Sequence, residues 1–381
     1  MEEKKKKIGI TGQAGFVGNH LYTTLSLDDT VELIPFERSY FQDSEALETF
    51  VSKCDIIVHL AAMNRHEDAK VIYNTNLELV NSLIGICEKQ NARPHIIFSS
   101  SSQEERDNLY GQSKKQGKEL FIKWAEKNGG KFTSLTIPNV FGPFGKPNYN
   151  SVVATFCHKV ARNEEPTILN DGEVGLIYIN ELVAHFTNTI NDNAKTVAIG
   201  KNSYELKIAP TSVRKVSEIL ALLSSYQNNY LQNGIFPSLV DSFEKALFNT
   251  FRCYVPENHY PVKYTKHTDP RGSFVEIAKT ETSGQFSFST TVPGITRGNH
   301  FHTRKAERFA VISGKALIQL RKIGTDEVID YYLDGEEPAY VDMPIWYTHN
   351  IKNIGDKELF TLFWINEPYD AEDPDTYFED V

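Results

Sequence analysis

An α/β doubly wound parallel sheet followed by an all-β barrel is the architecture that this 381-residue sequence predicts, and three observations predict it. The short apolar run Ile8-Gly9-Ile10 leads into a glycine turn, Thr11-Gly12-Gln13-Ala14-Gly15-Phe16-Val17-Gly18. Apolar strand-like runs then alternate with segments of helical period, the rhythm of a parallel sheet with helices on both faces. Beyond residue 263 the pattern changes to short alternating strands separated by Gly and Pro, which reads as a β-sandwich or small barrel. Residues 249–263, with Pro256, Pro261, aromatics and polar side chains, mark the change. The expected domains are 1–255 and 256–381.

The first element is a strand, turn and helix start. Glycines at 12, 15 and 18 let the backbone bend, let a pyrophosphate approach main-chain N–H groups and let the helix pack on the strand. Gly12, Gly15, Phe16, Val17 and Gly18 are therefore candidate dinucleotide contacts. The apolar and periodic segments that follow are 31–36, 46–51, 56–60, 77–86 and 96–98. Leu60, Ala61 and Ala62 are small or apolar residues just past a buried strand, at the carboxyl edge where a doubly wound sheet keeps its ligand. His59 is expected to be structural or to border the cofactor. At the end of the second strand an acidic residue favours NAD, whereas Arg38 with Ser39 suits the 2′-phosphate of NADP. Glu37 and Arg38 are both present; Arg38 is taken as the phosphate contact and NADPH as the cofactor.

A formal charge of −10 argues against a general nucleic-acid binder. The charged start Met1-Glu2-Glu3-Lys4-Lys5-Lys6-Lys7 has no long apolar run behind it, so neither a signal peptide nor a membrane anchor is expected, and the predicted location is cytoplasmic. Cys54, Cys87, Cys157 and Cys253 lack the spacing of a zinc ribbon or redox dithiol and read as buried or free thiols.

Tyr110 and Lys114, four apart on one helical stretch, share a face. An ammonium near a phenol favours the phenolate, so Tyr110 could exchange a proton with a substrate oxygen near neutral pH. The preceding strand ends in Ser99-Ser100-Ser101-Ser102, where a serine can hold a carbonyl. Glycine turn, His-Leu-Ala-Ala edge, serine run and Tyr-x-x-x-Lys occur in the order of the extended short-chain dehydrogenase/reductases, which the first two thirds of the chain resemble. The resemblance implies a Rossmann domain with Ser101 in the serine role, Ser100 or Ser102 being alternatives. Tyr110 is then the proton donor and Lys114 its electrostatic partner, both also touching the cofactor. Pro138-Asn139-Val140-Phe141-Gly142-Pro143 is similar to a segment of this family that binds nucleotide-sugars, with Asn139 as the contact. Thr136 departs from the arginine that many relatives carry. The polar loop 146–156, with Lys146, could meet a sugar or diphosphate. Residues 162–247 are expected to be covering loops and helices.

In the second half the expected strands are 285–291, 309–312, 316–320, 328–333 and 359–365. Within Gly294-Ile295-Thr296-Arg297-Gly298-Asn299-His300-Phe301-His302, two histidines alternate on a strand and face one way. Glu307 can return across a bend, and His349 follows in Pro344-Ile345-Trp346-Tyr347-Thr348-His349. Three imidazoles and a carboxylate converging in a barrel make a metal site. This spacing resembles both signature motifs of the cupins, with Trp346 where the second usually has glycine; the resemblance implies His300, His302, Glu307 and His349 as ligands. The donor set suits zinc, iron, manganese or nickel, and Zn2+ is preferred because the inferred reaction needs a redox-silent Lewis acid. The contexts of Arg271 and Arg297 resemble those of cupin-fold epimerases acting on nucleotide-linked 4-keto-6-deoxysugars, making both arginines candidate substrate contacts.

Reductase followed by metal cupin, with the 146–156 loop and Pro374-Asp375-Thr376-Tyr377-Phe378, resembles the CapF/WbjC-type bifunctional enzymes of capsular polysaccharide synthesis over the whole chain. That resemblance implies a UDP-sugar substrate, C3 epimerisation of a UDP-2-acetamido-2,6-dideoxy-4-hexulose in the cupin, and C4 reduction with NADPH by a homodimeric enzyme. The product is UDP-2-acetamido-2,6-dideoxy-L-talose, on the route to UDP-N-acetyl-L-fucosamine. Two other classes compete: a non-catalytic NADP(H)-binding sensor, against which Ser101, Tyr110 and Lys114 argue, and a redox-metal cupin oxygenase with an attached reductase.

Overall fold

The structure, a computed structural model, describes residues 5–264, 267–269, 272–274, 278–280, 285–367 and 371–381. It forms two compact units, Met1–Val152 with Asp171–Val216, and Val153–Asn170 with Ser217–Val381.

The first unit is built on β1 (Lys6–Thr11), α1 (Phe16–Leu25), β2 (Val31–Ile34), α2 (Ser44–Lys53), β3 (Ile56–His59), α3 (Ala69–Lys89), β4 (His95–Ser101), α4 (Leu109–Asn128) and β5 (Phe132–Ile137). After β6 (Asn139–Phe141) the unit continues with β7 (Glu173–Tyr178), α6 (Ile179–Ile190), β8 (Val197–Gly200), β9 (Ser203–Lys207) and β10 (Ser212–Lys215), whereas α5 (Val152–Val160), between β6 and β7, falls from Val153 on in the second unit. The main sheet has the order β2-β1-β3-β4-β5-β9-β8, parallel except for β8. β2 and β3 lie on opposite sides of β1, so the order reverses there, and the crevice at the carboxyl ends of β1 and β3 is the ligand site of such a sheet. Alternation divides the burial. Ile8 and Ile10 pack with Leu21, Leu182 and Phe186 on one face, whereas Ile57, Ile96 and Phe98 pack with Phe50, Phe121 and Trp124 on the other. Each such side chain, fully buried, contributes roughly 1.5–3 kcal/mol.

The second unit carries two five-stranded antiparallel sheets. One runs in the order Val262–Lys263, Ala339–Met343, Glu307–Ser313, Leu359–Ile365, Gln285–Thr291; the other runs Val328–Asp334, Lys315–Lys322, Tyr347–Asn353, Thr296–Phe301, Tyr377–Phe378. Phe309, Val311, Ile318, Leu320, Val341 and Ile351 form its core. The Rossmann-then-β order is thus the one expected.

One expectation needs correction. Residues 162–247 are more than covering loops and helices: they supply β7 to β10, and β9 extends the main sheet beside β5. Ser203–Lys207 reads Ser-Tyr-Glu-Leu-Lys, without an apolar run, so only its pairing reveals it. The second compact unit also takes in chain before residue 255. Between 217 and 255, α7 (Val216–Tyr226) and α8 (Ser242–Arg252) belong to the second unit. The apolar face of α8 forces this, since Phe243, Leu247, Phe248 and Phe251 must be covered. Within the same unit the ring of Phe236 lies 4.5 Å from that of Trp364. The Arg308 guanidinium sits 4.7 Å from Phe236 and pairs with Asp342 at 2.7 Å. Among the described residues no helix is long and apolar enough to cross a membrane.

Candidate active site and metal centre

The glycine turn sits where β1 and β3 end. Gly12 has φ 78°, and a Cβ there would lie 2.9 Å from the Ala61 amide nitrogen, so only glycine lets the turn meet the Leu60-Ala61-Ala62 edge. The two segments are also bonded: Leu60 N–H donates to Thr11 O at 3.1 Å and Ala61 N–H to Thr11 Oγ1 at 3.3 Å. α1 starts at Phe16 with Gly15 as its N-cap and no side-chain cap, leaving first-turn amides available to a phosphate. Phe36 N–H donates to Gln13 Oε1 at 3.2 Å, tying the segment after β2 to the turn. Arg38, exposed, begins a 3₁₀ turn there, while Glu37 accepts from Ser39 at 3.4 Å.

Ser101, Tyr110 and Lys114 come together at the ends of β4 and the start of α4. Of the serine run, Ser100 donates to Glu104 at 2.6 Å and Ser102 is exposed, whereas Ser101 Oγ accepts from Gln103 N–H at 3.2 Å and is the serine that lowers the Tyr110 phenol. Lys114, buried, donates to Ser99 O at 2.9 Å, and its Nζ lies 4.9 Å from the Phe98 ring centre and 5.9 Å from that of Tyr110. Burial lowers the Lys114 ammonium to about 8. Burial likewise pushes the Tyr110 phenol up to about 12, helped by nearby Tyr149 and opposed by the Ser101 bond. Burial thus holds the proton on the phenol, and the lowering expected from Lys114 is not seen. His59 is structural: fully buried, it bonds Thr11 Oγ1 through Nδ1 at 2.8 Å and stacks on Phe98, and burial with Lys114 nearby holds it down to about 3.

Asn139 is exposed and donates to Gly175 O at 3.1 Å. Lys146 is exposed, 5.4 Å from the Tyr149 ring centre. Arg65, absent from the sequence expectations, donates to Asn148 O at 2.9 Å and Tyr149 O at 2.6 Å and so fixes this loop. Arg297 is exposed and donates to Thr290 O at 3.1 Å; Arg271 lies outside the described residues. Thr136, at the position of the missing arginine, donates to Glu205 at 3.2 Å.

His300, His302, Glu307 and His349 bring one ligand atom each to within 4.8 Å of one another. His300 and His349 face each other across paired strands, after a bulge between Gly298 and His300. The bulge re-aims the strand. His302 Nε2 lies 2.9 Å from Glu307 Oε2, and His349 Nε2 lies 3.2 Å from the same oxygen but without hydrogen-bond geometry. Burial favours the neutral acid, yet the contacts with His302 and His349 outweigh it and hold Glu307 well below the usual carboxylate range. Burial and the neighbouring His349 lower His300 to about 4. Burial favours a neutral His302, yet the contacts with Glu307 and the Asp375 carbonyl outweigh it and raise His302, so a metal would have to displace its proton; three imidazoles, an ionised carboxylate and a buried nitrogen with no aligned partner fit a divalent metal. The Trp346 departure is also explained. Trp346 adopts φ 60°, the left-handed region that favours glycine, and is kept there by stacking on Phe301 at 5.5 Å and by its N–H bond to His302 O at 2.9 Å.

Residues 8–200 match the NAD dependent epimerase/dehydratase family, and residues 267–377 match the polysaccharide biosynthesis C-terminal domain. The chain is 35% identical over 97% of its length to a UDP-2-acetamido-2,6-beta-L-arabino-hexul-4-ose reductase of Pseudomonas aeruginosa, 98% of which it covers. The crystal structure of the capsular polysaccharide assembling protein CapF from Staphylococcus aureus aligns with a TM-score of 0.61 at 37% identity, covering 98% of this chain and 100% of that one. The spore coat polysaccharide biosynthesis protein SpsL of Bacillus subtilis is 25% identical over 123 residues, which are 30% of this chain and 82% of that protein.

Proposed function

The chain belongs to the NAD dependent epimerase/dehydratase family and, over its whole length, to the group of nucleotide-sugar enzymes that includes CapF, and from that premise we propose a bifunctional UDP-4-ketohexose epimerase and reductase of polysaccharide synthesis. The substrate is a UDP-2-acetamido-2,6-dideoxy-4-hexulose, inverted at C3 by the second half and reduced at C4 by the first, giving UDP-2-acetamido-2,6-dideoxy-L-talose as a precursor of UDP-N-acetyl-L-fucosamine. The observation that carries this reading is the presence, on one chain, of a Ser-Tyr-Lys proton-transfer cluster and a separate three-histidine, one-glutamate cluster.

When bound, NADPH supplies the hydride and a divalent metal, zinc in this reading, supplies Lewis acidity. Tyr110 Oη gives its proton to the C4 oxygen as the ketone becomes an alcohol, while the Ser101 hydroxyl holds that oxygen. Lys114 stabilises the phenolate left behind, which is why an ammonium is kept in a buried place that disfavours it. Asn139, Lys146, Arg271 and Arg297 are proposed substrate contacts, and Arg38 the contact for the 2′-phosphate of NADPH. Order follows from the substrate: the C3 proton is acidic only while C4 is a ketone, so epimerisation precedes reduction.

The test is incubation of the purified protein with the UDP-4-ketosugar in heavy water, first without NADPH and then with it. C3 deuterium exchange without NADPH, followed by one NADPH consumed per C4 alcohol formed with inverted C3, is the expected result. Reduction without any exchange refutes the epimerase half. Exchange without reduction refutes the reductase half.

A further inference from the structure

We propose that Asp375 is the positioning residue of the metal centre, setting His302 through its main-chain carbonyl and the turn from His302 to Glu307 through its carboxylate. The inference rests on the metal reading above and concerns a residue far from the ligand motifs in sequence: its separation from His302 is 73.

Asp375 is 2% exposed and adopts φ 39°, a left-handed conformation that a short polar side chain tolerates. Its backbone oxygen accepts from His302 Nδ1. With Nδ1 engaged by the Asp375 carbonyl, Nε2 is the nitrogen turned toward Glu307, 2.9 Å from its Oε2, and the one a metal would take once it displaces the proton shared there. The carboxylate of the same residue accepts from three successive amides, Thr303 N–H at 3.1 Å, Arg304 N–H at 3.0 Å and Lys305 N–H at 3.1 Å, and from the Thr303 hydroxyl at 2.7 Å. Successive amides aimed at one carboxylate make an anion nest, and this one shapes the residues that connect two ligands.

The surrounding C-terminal segment holds Asp375 in place. Lys305 Nζ donates to Pro374 O at 2.7 Å, and Arg304 pairs with Asp373 at 2.8 Å. Downstream, Tyr377–Phe378 pairs with His300 and Phe301, the Tyr377 ring stacking on Phe301 at 5.3 Å. Strand pairing orients His300 while Asp375 orients His302. The ligand geometry therefore depends on a segment outside the metal motif.

Cobalt(II) is the probe, its affinity measured by chelator competition and its ligand field by visible absorption. In the full-length protein, Asp375→Ala and Asp375→Asn should each raise the cobalt Kd about 10–100-fold and change the absorption. The asparagine variant keeps size but turns an amide NH2 toward N–H donors, and serves if the alanine variant does not fold. In a His302→Ala background, Asp375→Ala should raise the Kd by a clearly smaller factor than in the parent, because the part of its effect that passes through His302 is gone and only the part through Glu307 remains. Parent-like cobalt affinity in both Asp375 variants overturns the inference. So does an equal loss with and without His302, which marks a general structural role. If the parent binds no cobalt, or His302→Ala binds it as tightly as the parent, the metal reading itself fails and takes this inference with it.

Discussion

Replacing Lys114 with methionine should stabilise the cofactor-free protein near neutral pH while removing its reductase activity. The side chain is 4% exposed, and burial lowers its ammonium from 10.5 to about 8. At about 1.36 kcal/mol per pKa unit, keeping it charged costs roughly 3 kcal/mol. Methionine has a similar unbranched length and can keep the contact with Phe98. It leaves the Ser99 carbonyl without its 2.9 Å donor, which returns about 1 kcal/mol and leaves a net gain of ~2 kcal/mol. The sign with pH follows from proton binding. Between about pH 8 and 10.5 the unfolded chain holds the lysine proton and the folded chain does not, so the parent gains stability as pH rises through that window. The advantage of the variant is complete below pH 8 and lost by pH 10.5. Calorimetry of both proteins without cofactor, at neutral and alkaline pH, reads it. For a unit of about 150–250 residues, ~2 kcal/mol corresponds to about 4–8 °C in Tm. A variant that melts lower at neutral pH, or a gap that does not change with pH, refutes the reasoning that a desolvated charge is held here for function.

Tyr110→Phe removes the proton donor and should cut NADPH-dependent ketone reduction by about 10²–10⁴-fold with metal content unchanged; near-normal turnover would reject the assignment. Arg38→Ala should raise KM for NADPH well above any change for NADH, since only NADPH carries the 2′-phosphate, and equal changes would move that contact elsewhere. His302→Ala should lose metal, measured by elemental analysis, and stop C3 deuterium exchange, while NADPH oxidation with a 4-ketosugar persists; exchange at the parent rate would leave the metal without a role in enolisation. Trp346→Gly relieves a left-handed backbone worth about 1 kcal/mol but deletes a buried aromatic worth about 3–5 kcal/mol, so thermal melting should show a net loss of ~2–4 kcal/mol in the second unit, and a rise in Tm would mean that strain dominates.

Short-range features were legible in the residues themselves. A turn that needs φ 78° at Gly12 must carry glycine, and residues four apart on a helix must share a face, so the cofactor turn and the Tyr110–Lys114 pair follow from local backbone geometry. Strand period did the same for Gln285–Thr291 and Leu359–Ile365, which match the expected bounds, and for the side shared by His300 and His302. What depends on partners distant in the chain was not legible. β9 has no apolar signature and exists by pairing with β5, and the helices from 217 to 252 join the barrel because their aromatic faces find cover there. Which serine meets Tyr110 depends on how the strand end twists into the 3₁₀ turn. The direction of the Tyr110 and Lys114 shifts depends on how much water the folded chain removes, a quantity that no motif spacing contains. Asp375 is the clearest case: its segment was noticed only as part of a family resemblance, and its role appears when folding brings three amides and His302, 70 to 73 positions away, onto one of the 50 acidic residues of the chain. Covalent geometry fixes what neighbours in sequence can do, whereas desolvation and long-range hydrogen bonds are settled by packing, and at this site packing selects the protonation states and the histidine nitrogen turned toward Glu307.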